Sequence, residues 1–81
     1  MTKIIISQAF SSNLKRLRLQ KGLTQFELVG KMQVLGSRIS RSTYSMIESG
    51  MRNIRDYDLV ALQQVYGVDY AEFFKGIPTH E

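Results

Sequence analysis

Arg41, Ser42, Ser45, Met46 and Ser49 fall on one side of a short helical segment, residues 40–50, whose other side offers only Tyr44 and Ile47 to a core. A helix with so thin an apolar side leaves a wide polar face for water or a ligand. One guanidinium among short hydroxyls suits a partner that presents hydrogen-bonding edges and phosphates, which is the chemistry of DNA. Arg41 can donate two hydrogen bonds to guanine O6 and N7. Ser42, Thr43 and Ser45 both donate and accept, so they suit bases or phosphates alike. Met46 can touch a thymine methyl or simply pack along the helix flank, and its residue type fits both.

Further groups able to meet phosphates flank this segment. Thr24 and Gln25 open an earlier helix, where unpaired backbone N–H groups already favour an anion. Arg38 precedes the segment, and Arg52, Asn53 and Arg55 follow it. Each is also an ordinary surface group. This holds most for Gln25, by residue type alone a solvated first-turn side chain, and for Arg55, which can turn to Asp58 or to water. The net charge of +4 is unevenly spread. Residues 1–55 hold ten Lys and Arg against Glu27 and Glu48, whereas residues 56–81 hold Lys75 against five acids. A +8 half and a −4 half suggest a molecule with one phosphate-facing side.

The chain has 81 residues, enough for one small domain with a core that is feasible for a compact helical fold. There is no cysteine, which excludes disulfides and thiolate metal sites. Ile4-Ile5-Ile6 is too short an apolar run for a signal segment or a membrane span. A soluble, cytoplasmic protein without membrane attachment is expected, with no space for a ligand-sensing domain. The only histidine is His80, and no nucleophile, metal-ligand or phosphate-loop constellation accompanies it. Neither an enzyme nor a cofactor is expected.

Five short helices must position the polar face. The first spans roughly residues 8–20, with Phe10, Leu14 and Leu17 as its buried stripe and Gly22 as its stop. The second opens at Thr24 with Glu27 at capping-box spacing; Leu28, Met32 and Leu35 carry it towards Gly36. Gly30 within it costs about 1 kcal/mol against alanine, a cost that close approach of another helix would explain. The third runs from Ser40 to Gly50. The fourth is capped by Asp56, carries Leu59, Val60, Leu62 and Val65, and stops at Gly67. Asp69 and Glu72 repeat the capping-box spacing and open a last helix through Phe74, with Pro78 preventing a long continuation. Lys3 to Ser7 can form a short extended arm. Residues 1–9 thus read as an arm and helix start, 10–76 as the domain, and 77–81 as a tail.

Residues 13–25, Asn-Leu-Lys-Arg-Leu-Arg-Leu-Gln-Lys-Gly-Leu-Thr-Gln, resemble the start of lambda-repressor-like, Cro or xenobiotic-response-element (XRE) type helix-turn-helix domains. Residues 40–50 resemble their recognition helix. Residues 59–74, with Tyr66-Gly67-Val68-Asp69 at the turn, resemble their last two helices. The resemblance covers about residues 10–74 and implies an all-α, compact five-helix domain with the helix-turn-helix formed by helices 2 and 3. One departure is clear. Gln33 to Arg38 stand between Met32 and Ile39, about five residues more than the usual tight turn. Helix 2 is therefore expected to be one turn longer, with a longer connection, as in a subset of bacterial regulators of this type.

The resemblance implies a sequence-specific DNA-binding transcriptional regulator, most simply a repressor, with helix 3 in the major groove. Arg41, Ser42, Thr43, Ser45 and Met46 match contacting positions. Gln25 matches a glutamine that touches the phosphate backbone and braces the recognition helix. Arg18 and Glu48 match an ion pair between helices 1 and 3. A homodimer on a pseudo-palindromic operator in double-stranded DNA is expected, with recognition helices about 34 Å apart. Tyr66, Phe74 and Ile77 are candidates for the dimer surface, whereas Phe73 reads as core. Phe26 and Leu19 fall where such domains usually carry polar residues, so they cover helix 2 or form an interface. The competing function is an antitoxin or adaptor on the same fold whose main partner is a protein.

Overall fold

The computed structural model describes residues 3–4 and 7–77. Four α-helices form the domain: α1 (Gln8–Gln20), α2 (Gln25–Val34), α3 (Arg41–Glu48) and α4 (Asp56–Tyr66). A 3-10 turn, Tyr70–Phe74, closes it. Two short strands, β1 (Lys3–Ile4) and β2 (Ile54–Arg55), pair antiparallel with Lys3 opposite Arg55 and Ile4 opposite Ile54. The expected extended arm therefore has a definite partner, the strand that leads into α4. Ile5 and Ile6 of that arm, Pro78 and His80 lie outside the described residues.

The helices begin and end where side chains and glycines satisfy their orphan backbone groups. Ser7, Thr24 and Ser40 each accept the N–H of the residue three positions on. At the end of α2, Gly36 takes a φ of 100°, the Gly36 N–H bonds the Gln33 carbonyl, and the Ser37 N–H bonds the Met32 carbonyl. This pair of bonds is a Schellman stop, which requires a residue comfortable in the left-handed region. Each helix is too short to hold by itself, so an apolar face must be buried. Phe10, Leu14, Leu17, Leu28, Met32, Tyr44, Ile47, Ile54, Leu62 and Phe73 are among the buried residues of the core.

Several local expectations are corrected. The fifth helix is a single 3-10 turn. Asp69 makes no side-chain cap, and Glu72 is drawn away from it: its Oε1 lies 3.5 Å from Arg16 and 3.9 Å from Lys75. Asp56 is the first residue of α4 rather than its cap; that place belongs to Arg55, whose side chain does not cap the helix. Asp56 and Asp58 instead put negative charge in the first turn, which the helix dipole favours. Val60 faces solvent, since Leu59, Leu62 and Tyr66 define the inward side. A Cβ built on Gly30 meets nothing within 4 Å, so no other helix crowds it.

Candidate nucleic-acid interface

α3 presents Arg41, Ser42, Ser45, Met46 and Ser49 to solvent while Tyr44, Ile47 and Glu48 are buried. Its start is organised by hydroxyls. Ser40 Oγ accepts the Thr43 N–H at 3.1 Å, donates to Thr43 Oγ1 at 3.0 Å, and lies 3.2 Å from Ser42 Oγ. Thr43 is half-buried and its hydroxyl belongs to this cap. Arg41 lies fully on the outer face, as does Ser45 one turn later.

α3 is held from behind by a buried ion pair. Arg18 Nη2 donates to Glu48 Oε1 at 2.7 Å, and Arg18 Nε to Glu48 Oε2 at 3.0 Å. Arg18 Nη1 donates to the Leu23 carbonyl at 2.9 Å. One guanidinium thus ties the end of α1, the turn into α2 and the last residue of α3. Hydrogen bonding to Glu48 raises the pKa of Arg18 and keeps it charged despite burial. The Tyr44 and Tyr66 hydroxyls are buried nearby, and neither has a partner of ordinary hydrogen-bonding geometry. Desolvation pushes both phenols well above their usual range, with Tyr44 shifted the more.

The start of α2 is equally well set. Thr24 Oγ1 accepts the Glu27 N–H at 3.1 Å, and Glu27 Oε1 accepts the Thr24 N–H at 2.9 Å. The bond from the Thr24 backbone holds the Glu27 carboxyl below its usual range. Gln25 is half-buried at the first helical position.

The connection from α2 to α3 has its own fastenings. Ser37 Oγ donates to Asp58 Oδ1 at 2.9 Å and accepts the Ile39 N–H at 3.2 Å. Gln33 Nε2 donates to the Ile39 carbonyl at 3.0 Å. Ser37 and Asp58 are both buried, so the connection is bolted to the first turn of α4. This brings Arg38 into a cleft with Arg52 and Arg55, beside Ser40 and Thr43 at the start of α3. Asn53 lies with Arg52 and Arg55 in an adjoining depression. Arg41 and Met46 stand apart from that cleft, on the exposed face of α3.

Sequence reasoning left out the Ser37–Asp58 bond, although a serine facing an acid across two helix boundaries is a fair hint. It also left out Tyr57, which lines the cleft beside Arg55. Among the proposed dimer residues, Tyr66 is only 2% exposed and so cannot form a surface. It is buried against Phe73, with ring centroids 6.3 Å apart. Phe74 is exposed in part, with its ring 5.3 Å from that of Phe10, and Ile77 is half-buried. No helix among the described residues is long and apolar enough to cross a membrane, and no cluster of metal-ligand side chains occurs among them.

Two capped helices joined by a connection, the second with a polar outer face, are the elements of a helix-turn-helix. A family model described as helix-turn-helix matches residues 14–73, most of the chain. No curated protein and no solved structure matches the chain. The matched span takes in α2, α3 and their connection together with most of α1 and all of α4. The chain belongs to the helix-turn-helix family of the lambda-repressor, Cro and XRE type, a family of DNA-binding transcriptional regulators.

Proposed function

We propose that the protein is a sequence-specific repressor that lays α3 in the major groove of double-stranded DNA. The observation that carries this reading is the outer face of α3. A helix of eight residues turns Arg41, Ser42, Ser45 and Met46 outward while an ion pair fixes it from behind. Arg41 reads a guanine through paired hydrogen bonds, and Ser42, Ser45 and Met46 meet neighbouring base edges. Thr43 serves mainly through the cap. Thr24 and Gln25, at the start of α2, meet the phosphate backbone, as do Arg38, Arg52 and Asn53 around α3. The protein acts in the cytoplasm as a homodimer on a pseudo-palindromic operator, with Phe74 and Ile77 on the dimer surface.

Selection of DNA from a random pool, followed by binding at several salt concentrations, tests this. The expected result is a preferred site and a slope of about −0.9 in log K against log salt per phosphate neutralised. Arg41→Ala relaxes preference at one base position, whereas Arg52→Ala weakens all sequences alike. A chain that sediments as a monomer both free and on DNA would remove the palindrome.

A second reading rests on Phe26 and Val34. They are 71% and 88% exposed, four residues either side of Gly30 on the solvent face of α2. Such a stripe suits a protein partner, as in an antitoxin or adaptor. Capture of one stable protein partner, with no DNA site selected from the pool, favours that reading.

A further inference from the structure

We infer that an apolar strip where the end of α2 meets the outward side of α4 is a self-association surface, and that its occupant is the same strip of a second copy of this chain. The contact goes beyond the DNA-binding reading and needs no DNA.

Two adjoining depressions make up the strip, and Leu35 lines both. One holds Tyr57, Val60, Ala61 and Gln64 of α4; the other lies between Val34 and Val65. Tyr57, Val60 and Gln64 recur at helical spacing, so they share one side of α4. Val34 stands almost wholly in solvent, and Leu35, Tyr57 and Val60 are each nearly half exposed. The inward sides of the same two helices already bury Leu28, Met32, Leu59 and Leu62. The strip is therefore a second apolar face, shared by two helices. Single exposed apolar side chains are ordinary, whereas contiguous ones with a polar rim mark an interaction surface.

The charges at its ends select the occupant. Lys31 borders the strip beside Val34 and Val65. Asp56 stands at the opposite end, next to Tyr57. Tyr57 and Val65 are eight residues apart on α4, a span of about 12 Å. Asp56 Oδ1 accepts the Tyr57 N–H at 2.9 Å, which holds the carboxylate at that end. A two-fold axis through the middle of the strip reverses its direction. Lys31 of each copy then meets Asp56 of the other, and the apolar residues meet one another between them. The strip is thus complementary to itself. Lys31 also has Glu27 one turn back on α2. The apolar middle therefore supplies the attraction, and the charged ends fix its direction. A chain of net charge +4 repels its copies, but a face with one cation and one anion at its ends offers an approach without that repulsion. Phe74 packs on Phe10 and borders neither depression, so the strip is distinct from the Phe74 and Ile77 surface. A dimer formed there leaves the strip unused, and the strip then joins one dimer to the next.

Sedimentation equilibrium of the full chain without DNA, from about 10 μM to 1 mM, suits a contact of this small size. Wild type should associate with rising concentration. Val34→Ser and Val60→Ser should each weaken association roughly a hundredfold, because each change acts at both symmetry-related positions. The same losses should appear in a Phe74→Ala background, which separates the two surfaces. Phe26, on α2 but outside both depressions, serves as the control: Phe26→Ala should associate as wild type does. Lys31→Glu should weaken association roughly tenfold, and adding Asp56→Lys should restore it, since the exchanged charges still meet across the two-fold. Melting temperatures of the variants separate lost folding from lost contact. A wild type that stays monomeric to about 1 mM, or serine variants that associate unchanged, would overturn the surface. Failure of Asp56→Lys to restore association in a folded variant overturns the antiparallel pairing of the ends. Capture of a foreign protein that Val34→Ser abolishes, with wild type monomeric, gives the face to that protein instead. Association without any selected DNA site leaves the strip standing and removes the DNA-binding reading; a selected site without association does the reverse.

Discussion

Replacing Arg18 by alanine should destabilise the domain far more than any surface change. Arg18 makes two close bonds to the Glu48 carboxylate and one to the Leu23 carbonyl, and the two side chains are 11% and 5% exposed. Its loss leaves a carboxylate buried beside two phenols that already lack hydrogen-bond partners. Breaking such a pair by removing one partner costs about 3–5 kcal/mol, and the stranded Leu23 carbonyl adds about 1 kcal/mol. A domain of this size has a total stability of roughly 4–12 kcal/mol, so the variant should sit near the edge of folding. With a urea m value of about 1–3 kcal/mol/M, the unfolding midpoint should fall by roughly 2 M. The double variant Arg18→Met/Glu48→Leu should recover most of the loss, because apolar side chains remove the stranded charge altogether. Urea unfolding of wild type, Arg18→Met, Glu48→Leu and the double variant measures the coupling. A midpoint in Arg18→Ala within about 0.3 M of wild type, which corresponds to less than about 1 kcal/mol, would refute the reasoning.

Three further outcomes follow from the same structure. Burial raises the pKa of Tyr44 and Tyr66, so the native state keeps both protons when the unfolded chain begins to lose them near pH 10. Stability should therefore hold below pH 10 and fall above it by about 1.4 kcal/mol per pH unit for each tyrosine; urea midpoints from pH 9 to 11 read this, and a Tyr44→Phe/Tyr66→Phe variant whose profile stays equally steep would contradict it. Gly30→Ala should stabilise by about 0.5–1 kcal/mol, because the added methyl meets open space in an ordinary helical position; a lowered melting temperature would point to a partner that needs the gap. Thr24→Ala should cost about 1 kcal/mol through loss of the cap. The Thr24 backbone N–H that mainly holds the Glu27 carboxyl down survives this change, so the carboxyl should rise only part of the way to its ordinary value, a change that carbon-detected NMR titration follows. The capping contribution is present above the unfolded carboxyl pKa and fades as pH falls through the native one.

Periodicity made most of the scaffold legible. The spacing of Phe10, Leu14 and Leu17, of Leu28 and Met32, and of Tyr44 and Ile47 marks the inward sides of α1, α2 and α3, and all seven are buried, whereas Leu35, read as the next residue of the α2 stripe, is 48% exposed. Thr24 with Glu27, and the glycines at 22, 36 and 50, mark helix ends because caps are local chemistry. The exposed face of α3 follows from the same pattern. What escaped was non-local. β2 pairs with a strand fifty residues earlier in the chain, and nothing in Ile54–Arg55 announces its partner. Asp69 and Glu72 have the spacing of a capping box, yet Arg16, far away in sequence, takes the carboxylate. Asn13 likewise reaches the Phe73 and Lys75 carbonyls, at 2.9 Å each, and fixes the 3-10 turn against α1. The cleft is of this kind too. Arg38, Arg52 and Arg55 read as separate surface charges until the Ser37–Asp58 bond sets the path of the connection.

On this proposal, the outer face of α3 reads bases. Its most direct measurement is the sequence preference of wild type and Arg41→Ala, each selected from the same random DNA pool at the same salt concentration. The expected result is a defined site for the wild type and, for the variant, a site that has lost its guanine requirement at one position in each half-site. An identical preferred site for both proteins, or no preferred site for the wild type, would contradict it.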